Sequence, residues 1–391
     1  MRLVEQGRAS LDDPVLKHLP KFKLKDRAAT RALTLGHLVT HTGGWDGDID
    51  NDTGWGDDAL TRYVDDLRSQ PQLVPVGAHF SYNNAGFVVA GRVIEVLTGK
   101  VYEAAIAELV FQPLGMADSF FSPIDIMSRR FAIGHHSLGK TAQVAHMLGI
   151  SRSLAPAGGI ASTVRDQLKY ARFHLGDGRN AEGKRVLKAS TMRLMQRDHF
   201  SAIGLAGTVG ISWLIGEVGG VRTVAHGGNV SNLQVSSFLM VPSHDFAVTV
   251  LTNSGAGRQL HDEVEKWALK SYLGLTPTPP KVLEPGSVDL AQYSGEYASK
   301  LSIIDVKSVN GNLSLTPRWN LREQDFTGDE RELVRKLMAE KPKPLKLRLT
   351  AADRAVVVDG PGAGTQGEFV REAAGGAIRW LRWGGRLNTR A

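Results

Sequence analysis

The sequence predicts an α+β fold, made of one large domain and a smaller β-rich domain. Its 391 residues are more than one domain with a single hydrophobic core usually contains. Helical patterns come first and strand-like runs cluster after them, which favours α+β packing over alternating units of a parallel sheet. A proline-rich stretch at 276–280 then separates a region with helical patterns from a region of short strand-like runs.

Apolar residues at helical spacing predict the helices of the first domain. They fall at residues 33–41, 58–69, 84–98, 102–110, 163–175 and about 260–272. Three apolar runs predict strands at Val221–Ala225, 233–241 and Phe246–Thr252. The turn at 242–245 contains Pro, Ser and Asp, so the last two strands should form an antiparallel pair.

The chain is predicted to divide into a domain at 1–275, a linker at 276–283 and a β-rich domain at 284–391. Short alternating runs and the turn Asn310-Gly311 follow the linker, as in strands joined by hairpins. Further strand-like runs lie at 345–349, 355–358, 368–371 and 378–383. We therefore expect the last domain to be a small β-barrel or curved sheet.

The composition is that of an ordinary globular protein. The net charge is +7, and the densest basic cluster comprises Lys341, Lys343, Lys346 and Arg348. No stacking aromatic set accompanies this cluster, so we interpret it as a solvated strand edge and expect no nucleic-acid partner. The sequence contains no cysteine, which excludes disulfides and cysteine-based metal sites. No apolar run is long enough to span a membrane.

The first residues are typical of the end of a helix. Residues 1–7 lack the apolar core and the cleavage site of a signal peptide. Gly7 is a residue type that commonly terminates helices. The chain is therefore expected to open inside a helix.

A tyrosine and an asparagine stand immediately before the helix predicted at 84–98. Tyr82 and Asn84 could point a phenol and a carboxamide into one cleft. The alternative is structural, with Asn84 capping the helix beside a packing tyrosine. Both interpretations fit the sequence at this point.

A second candidate, His226-Gly227-Gly228-Asn229, follows the strand Val221–Ala225. Paired glycines let a ligand approach the backbone, and exposed N–H groups there can hold an oxyanion. A plain hairpin turn would use the same residue types. A third glycine-rich segment, 156–166, ends in a Ser or Thr cap followed by Asp166, and we interpret it as structural.

In this order, the segments resemble the class C β-lactamase and penicillin-binding D,D-peptidase family, which includes related esterases and D-amino acid peptidases. The resemblance covers roughly three-quarters of the chain. It is carried by residues 11–15, 34–44, 75–77, 80–84, 111–116, 157–163, 210–213, 226–228, 242 and 251–253. It implies an antiparallel sheet with a helical subdomain, and the last domain resembles the small β-rich appendage of such hydrolases.

Enzymes of this family use three motifs: Ser-x-x-Lys, Tyr-x-Asn, and Lys-Thr-Gly or His-x-Gly. The resemblance implies that Tyr82 shuttles a proton and that Asn84 binds a polar group of the substrate. It also implies an oxyanion site at Gly227, Gly228 and the N–H of Asn229. The substrate would be a small-molecule or peptide ester or amide, cleaved through an acyl-enzyme without metal or organic cofactor.

His226 stands where many relatives have lysine. Imidazole titrates near pH 6.5, so this replacement lowers the fixed positive charge at neutral pH. The departure disfavours carboxylate-bearing β-lactams and favours esters or D-amino acid amides.

The first motif is expected upstream of Met1, about three helical turns before the helix end at 1–7. The sequence contains one Ser-x-x-Lys, from Ser137 to Lys140, but it falls between the other two motifs and Gly139 would weaken the required helix. We therefore expect this chain to be inert or nearly so, with an uncovered sheet edge that favours aggregation. The alternative is a non-catalytic ligand-binding protein of the same fold.

Other classes of site fit less well. Residues 134–141 match the P-loop pattern, but no buried strand precedes them and no clear Walker B strand is present. The sequence has no G-x-S-x-G, which disfavours an α/β-hydrolase. His37 and His41 lack the glutamate of H-E-x-x-H, and His135 and His136 are adjacent, so no zinc site is expected. We interpret His37 and His41 as capping or packing residues.

Overall fold

The structure is a computed structural model that describes residues 1–138, 141–145, 150–284, 286–321, 342–360 and 362–391, together with residues 331, 334, 335, 338 and 339. A mixed α/β region with an antiparallel sheet comes first, and a closed eight-stranded barrel follows. The predicted α+β fold is confirmed. No helix among these residues has both the length and the apolar character needed to cross a bilayer.

The helices of the first region surround one long central helix. They are α1 Arg2–Glu5, α2 Val15–His18, α3 Arg27–Ala32, α4 Leu35–Val39, α5 Ala59–Asp66, α6 Asn84–Thr98, α7 Tyr102–Ile106, α8 Gln112–Leu114, α9 Pro123–Met127, α10 Ala155–Gly158, α11 Val164–Leu175, α12 Ala189–Met195 and α13 Gly257–Leu273. The central helix, α6, has the bounds that the sequence predicts. Its buried face packs with α4, α5 and α10 to form the helical core.

The strands of the first region are β1 His135–Leu138, β2 Thr141–Val144, β3 Phe200–Ser201, β4 Thr208–Val209, β5 Leu214–Val218, β6 Val221–Ala225, β7 Gly228–Val230, β8 Gln234–Val241 and β9 Phe246–Thr252. The main sheet has the order β3-β4-β5-β6-β8-β7, and β9 also pairs with β8. Every pairing in it is antiparallel.

Helices cover both faces of this sheet. Along β8, Phe238 and Met240 pack in a cluster with Ala171 of α11. The alternate residues Leu239 and Val241 pack in another cluster with Leu269 of α13. This alternation follows from the two-residue period of a strand, and it places the sheet between α11 and α13.

The outer side of β9 is uncovered in the described part of the chain. All of its residues are half-buried, and its strand pairing runs to β8 alone. Beside it, α13 leaves Trp267 59% and Tyr272 67% exposed. This agrees with the expectation of an open sheet edge.

The barrel consists of β10 Gly295–Ala298, β11 Ser302–Val309, β12 Asn312–Trp319, β13 Leu345–Ala351, β14 Arg354–Val357, β15 Gln366–Arg371, β16 Ile378–Trp383 and β17 Arg386–Arg390. Each strand pairs with the next, and β10 pairs with β17 to close the ring. Buried side chains such as Tyr293, Tyr297 and Phe369 fill the interior.

The basic cluster does not lie on a sheet edge, so that prediction is wrong. Lys346 and Arg348 belong to β13, which pairs with β12 on one side and with β14 on the other. Barrel closure removes the edge that the sequence pattern implied. Lys343 is exposed just before this strand, and Lys341 lies outside the described residues.

Candidate functional site

The second and third sequence motifs lie next to each other, and the partly exposed surface formed by Tyr82 and His226 is named the candidate groove. Tyr82 stands just before α6, and His226 stands just after β6. Their ring centroids are 6.2 Å apart, with the ring planes inclined at 43°. Both side chains are half-buried, so part of each remains accessible.

The local fold of Tyr82 depends on Asn83. The Asn83 Oδ1 atom accepts a hydrogen bond from the Gly86 N–H (2.7 Å), which caps α6, and its Nδ2 donates to the Trp45 carbonyl (3.0 Å). The prediction that Asn84 is the capping residue is therefore wrong. Asn84 is instead the first residue of the helix and is half-buried, which leaves its carboxamide out of the cap.

The segment at His226 is not a hairpin turn, so the structural alternative for it is wrong. The His226 N–H donates to the Phe238 carbonyl (3.0 Å), and Gly228 pairs with Ser236. The chain therefore continues alongside β8 through the glycines. A side chain at Gly228 would meet the Ser236 hydroxyl, and Gly227, Gly228 and Asn229 are all exposed at the rim.

Both rings of the groove are uncharged at neutral pH. Burial lowers the pKa of His226, and its Nδ1–H donates to the Gly227 carbonyl (2.7 Å). A carbonyl can only accept, so the neutral ring keeps its Nε2 lone pair as an acceptor. Burial raises the pKa of the Tyr82 phenol, although the nearby Arg386 guanidinium opposes this effect.

His41 lies at the candidate site, although the sequence indicated only a capping or packing role. Its ring stacks on Tyr82 with centroids 4.3 Å apart and an interplanar angle of 24°. Burial lowers the pKa of His41 to about 3, so the ring is neutral. His37, by contrast, forms a capping box with Thr34 at the start of α4, as predicted.

The barrel brings Arg386 to the same groove, which no sequence signal indicated. The Arg386 guanidinium lies 5.0 Å from the centroid of the Tyr82 ring. It also forms an ion pair with Asp48, a residue 338 positions away in the chain. Such distances in sequence carry no spacing pattern, so only the folded chain reveals this pair.

The described residues of the remaining candidate motifs include strand residues and a helix cap. Residues 135–138 and 141–144 form an antiparallel hairpin, whereas a P-loop needs a following helix and Ser-x-x-Lys needs a helix throughout. Ser137 lies in β1, and Gly139 and Lys140 lie outside the described residues. Thr163 caps α11, and the buried Asp166 accepts from the Asp118 N–H (2.7 Å) and the Ser119 hydroxyl (3.0 Å). The described ranges contain no group of three or more His, Asp or Glu that could hold a metal ion.

The chain is similar to several known proteins. Penicillin-binding protein 4 of Amycolatopsis lactamdurans is 33% identical over 307 residues, which are 76% of this chain and 80% of that protein. A solved structure of SurE is 26% identical with a TM-score of 0.73, covering 100% of this chain and 84% of SurE, and a second SurE structure contains D-Leu.

A further solved structure shows the same fold at lower identity. The octameric penicillin-binding protein homologue from Pyrococcus abyssi is 21% identical with a TM-score of 0.58, covering 95% of this chain and 81% of that one. The family model described as Beta-lactamase matches residues 1–270. This match, together with the relative that is one-third identical, shows that the chain belongs to the beta-lactamase family.

Proposed function

We propose that this chain is the larger part of a serine hydrolase that cleaves an ester or amide bond through an acyl-enzyme. The observation that carries the proposal is the proximity of the Tyr82 and His226 rings, whose centroids are 6.2 Å apart. The serine oxygen would bond to the substrate carbonyl carbon while its proton passes through Tyr82 to the leaving group. Water would then release the acyl group and restore the serine hydroxyl.

The groove favours uncharged substrate groups near its third motif. His226 is neutral, since burial lowers its pKa, so it offers an Nε2 acceptor in place of a fixed ammonium. A carboxylate on the substrate would gain little from this residue. We infer that esters and D-amino acid amides are better substrates than β-lactams, and the D-Leu in one SurE structure supports that class.

We place the nucleophilic serine and its lysine in a segment upstream of Met1. Ser137 lies in the strand β1 and is therefore a poor source of the nucleophile, which needs a helix. The uncovered side of β9 agrees with an additional strand, because unpaired strand edges expose N–H and C=O groups. Without the lysine, the pKa of Tyr82 stays raised, so this chain alone should turn over ester very slowly.

The test compares this chain with a version extended by the upstream reading frame, using a fluorogenic ester. We expect the extended protein to hydrolyse the ester and the shorter chain to be nearly inert. Tyr82→Phe in the extended protein should lower kcat/KM by about 10²–10⁴. The matched control is Tyr272→Phe, since that side chain is 67% exposed on α13 and should leave the rate unchanged.

Two results would contradict the proposal. One is ordinary turnover by the shorter chain, and the other is full activity of the Tyr82→Phe variant. If the upstream frame encodes no Ser-x-x-Lys and the extended protein still binds an ester analogue, the protein is a ligand-binding pseudoenzyme of the same fold.

A further inference from the structure

The barrel reaches the candidate site through the turn between its last two strands. Gly384 and Gly385 join β16 and β17 with positive φ angles of 56° and 79°. A side chain at Gly385 would also press against Leu205 of the first region. Glycine therefore lets this turn pack closely against the first region.

The turn bonds directly to the segment that carries Tyr82. The Tyr82 N–H donates to the Gly385 carbonyl (2.9 Å), and the Leu387 N–H donates to the Ser81 hydroxyl (3.2 Å). These bonds link Gly385 and Leu387, on either side of Arg386, to Tyr82 and to the Ser81 side chain. The position of Tyr82 is thus fixed in part by the barrel.

Arg386 adds a charge beside the phenol ring. Its side chain is 31% exposed and its partner Asp48 is 11% exposed, and Nη2 lies 2.9 Å from the Asp48 Oδ1 atom. This pair holds the guanidinium 5.0 Å from the centroid of the Tyr82 ring. A cation over an aromatic face is attracted to the ring and restricts its orientation.

His41 contacts Tyr82 and its neighbours from the helical region, as Arg386 does from the barrel. It has a φ of 57°, which is unusual for a residue other than glycine. Its carbonyl accepts from the Ser81 N–H (2.9 Å), and its Nδ1 accepts from the Asn83 N–H (2.9 Å). A neutral ring keeps this acceptor, and the strained backbone keeps the ring stacked on Tyr82.

We propose that the barrel is a working part of the groove, in which Gly385 and Arg386 hold Tyr82 in position while His41 supports it from the helical region. Arg386 is a positioning residue in this arrangement. The proposal deepens the proposed function and rests on the proton-relay role of Tyr82 there. It makes the barrel necessary for a correctly placed phenol.

Four ionisable groups face the phenol from three parts of the chain. Arg386 of β17 favours the phenolate, and Asp48 disfavours it. His41 and His226 are neutral because burial lowers the pKa of each. Removal of the Arg386 charge should therefore raise the pH at which Tyr82 ionises, and removal of the Asp48 charge should lower it.

The first test measures the ionisation of Tyr82 in the full chain and needs no catalysis. Fluorotyrosine labelling allows ¹⁹F NMR and brings phenol titration into the range where proteins stay folded, and Tyr82→Phe assigns the signal. We expect Arg386→Met to shift the Tyr82 resonance and to raise its titration midpoint, with recovery of the midpoint in Arg386→Lys. The charge-balanced variant Asp48→Asn/Arg386→Met, which leaves no unpaired carboxylate, should show the same displaced resonance.

The matched control is Arg390→Met. The half-buried Arg390 also lies over a tyrosine, 5.8 Å from the ring centroid of Tyr297. Tyr297 belongs to the barrel core. The Arg390 variant should perturb Tyr297 and leave Tyr82 unchanged. The proposal would be overturned by an unaltered Tyr82 resonance and titration midpoint in Arg386→Met together with an unaltered resonance in Asp48→Asn/Arg386→Met. This holds whatever the outcome of the ester assay.

The second test uses the extended protein once it hydrolyses ester. Loss of a positioning contact should lower kcat of Arg386→Met by about 10²-fold with little change in KM. A rise in KM alone would overturn the positioning role, because it would show that Arg386 contacts the substrate instead. If no extended protein is active, the proposed function fails while the NMR result still decides the placement of Tyr82.

Discussion

Replacement of Arg382 tests how the barrel is attached to the first region, because Arg382 bonds to both. Arg382 is 2% exposed, and its guanidinium bonds to the Glu368 carboxylate inside the barrel wall. Its Nε also donates to the carbonyl of Phe80 (3.0 Å), two residues before Tyr82. One buried cation therefore connects the barrel to the segment that carries the candidate site.

The cost of removing this cation can be worked out from its surroundings. Arg382→Leu would leave the Glu368 carboxylate, 18% exposed, without its buried partner, which costs about 3–5 kcal/mol. The Phe80 carbonyl would lose its donor, a loss of about 1–3 kcal/mol when the acceptor is buried. The two effects share one side chain and do not add, so we expect the free energy of unfolding to fall by about 4 kcal/mol.

Urea unfolding of the full chain, followed by tryptophan fluorescence and circular dichroism, measures this change. The matched control is Arg354→Leu, because Arg354 lies 3.7 Å from the same carboxylate but is 48% exposed. It should cost no more than about 1 kcal/mol. The double variant Glu368→Gln/Arg382→Leu should recover part of the loss, since no unpaired charge remains. A loss in Arg382→Leu as small as that of the control would refute the reasoning.

Three further predictions concern stability, each read from urea midpoints. Gly91→Ala should cost about 1–3 kcal/mol, because a side chain there would collide with the Pro156 ring, and an unchanged midpoint would contradict this close approach. The Lys17 ammonium lowers the pKa of Asp13 from 3.8 to about 2, so the stabilisation is present above pH 3.8 and is lost as the pH falls towards 2. Asp13→Asn should flatten that acid limb, and a limb as steep as in the parent would contradict the coupling. Burial lowers the pKa of His174 from 6.5 to about 3, so the unfolded chain binds the extra proton and stability falls as the pH drops through that interval. His174→Phe should remove this part of the slope, and identical slopes in both proteins would show that His174 is not its source.

Local patterns predicted the long elements of the fold well. The helix Asn84–Thr98 and the strands Val221–Ala225 and Phe246–Thr252 have the bounds that periodicity and turn residues indicate. Short helices such as Arg27–Ala32 were missed, because fewer than two turns give no clear periodicity. The last barrel strand, Arg386–Arg390, was also missed, because Leu387 is its only apolar residue and one residue gives no alternation.

Some residues of the candidate site were found from the sequence, and others were found only in the structure. Tyr82 and His226 were found because each belongs to a short motif next to the start of a helix or the end of a strand. The structural alternative for Asn84 made it the helix cap, but the structure gives that role to Asn83, since the two asparagines differ by one position and sequence cannot resolve the register. His41, Asp48 and Arg386 stand in none of the three catalytic motifs and lie near Tyr82 only through tertiary packing.

The sequence by itself determined the family, the fold class, and the two motifs that contain Tyr82 and His226. These properties depend on residue spacing within single elements, where side-chain periodicity and turn chemistry act over a few residues. Only the tertiary structure decided that the barrel contacts the segment of Tyr82 and that a cation lies over the Tyr82 ring. Contacts between residues hundreds of positions apart arise from packing of whole domains, and no local pattern encodes them.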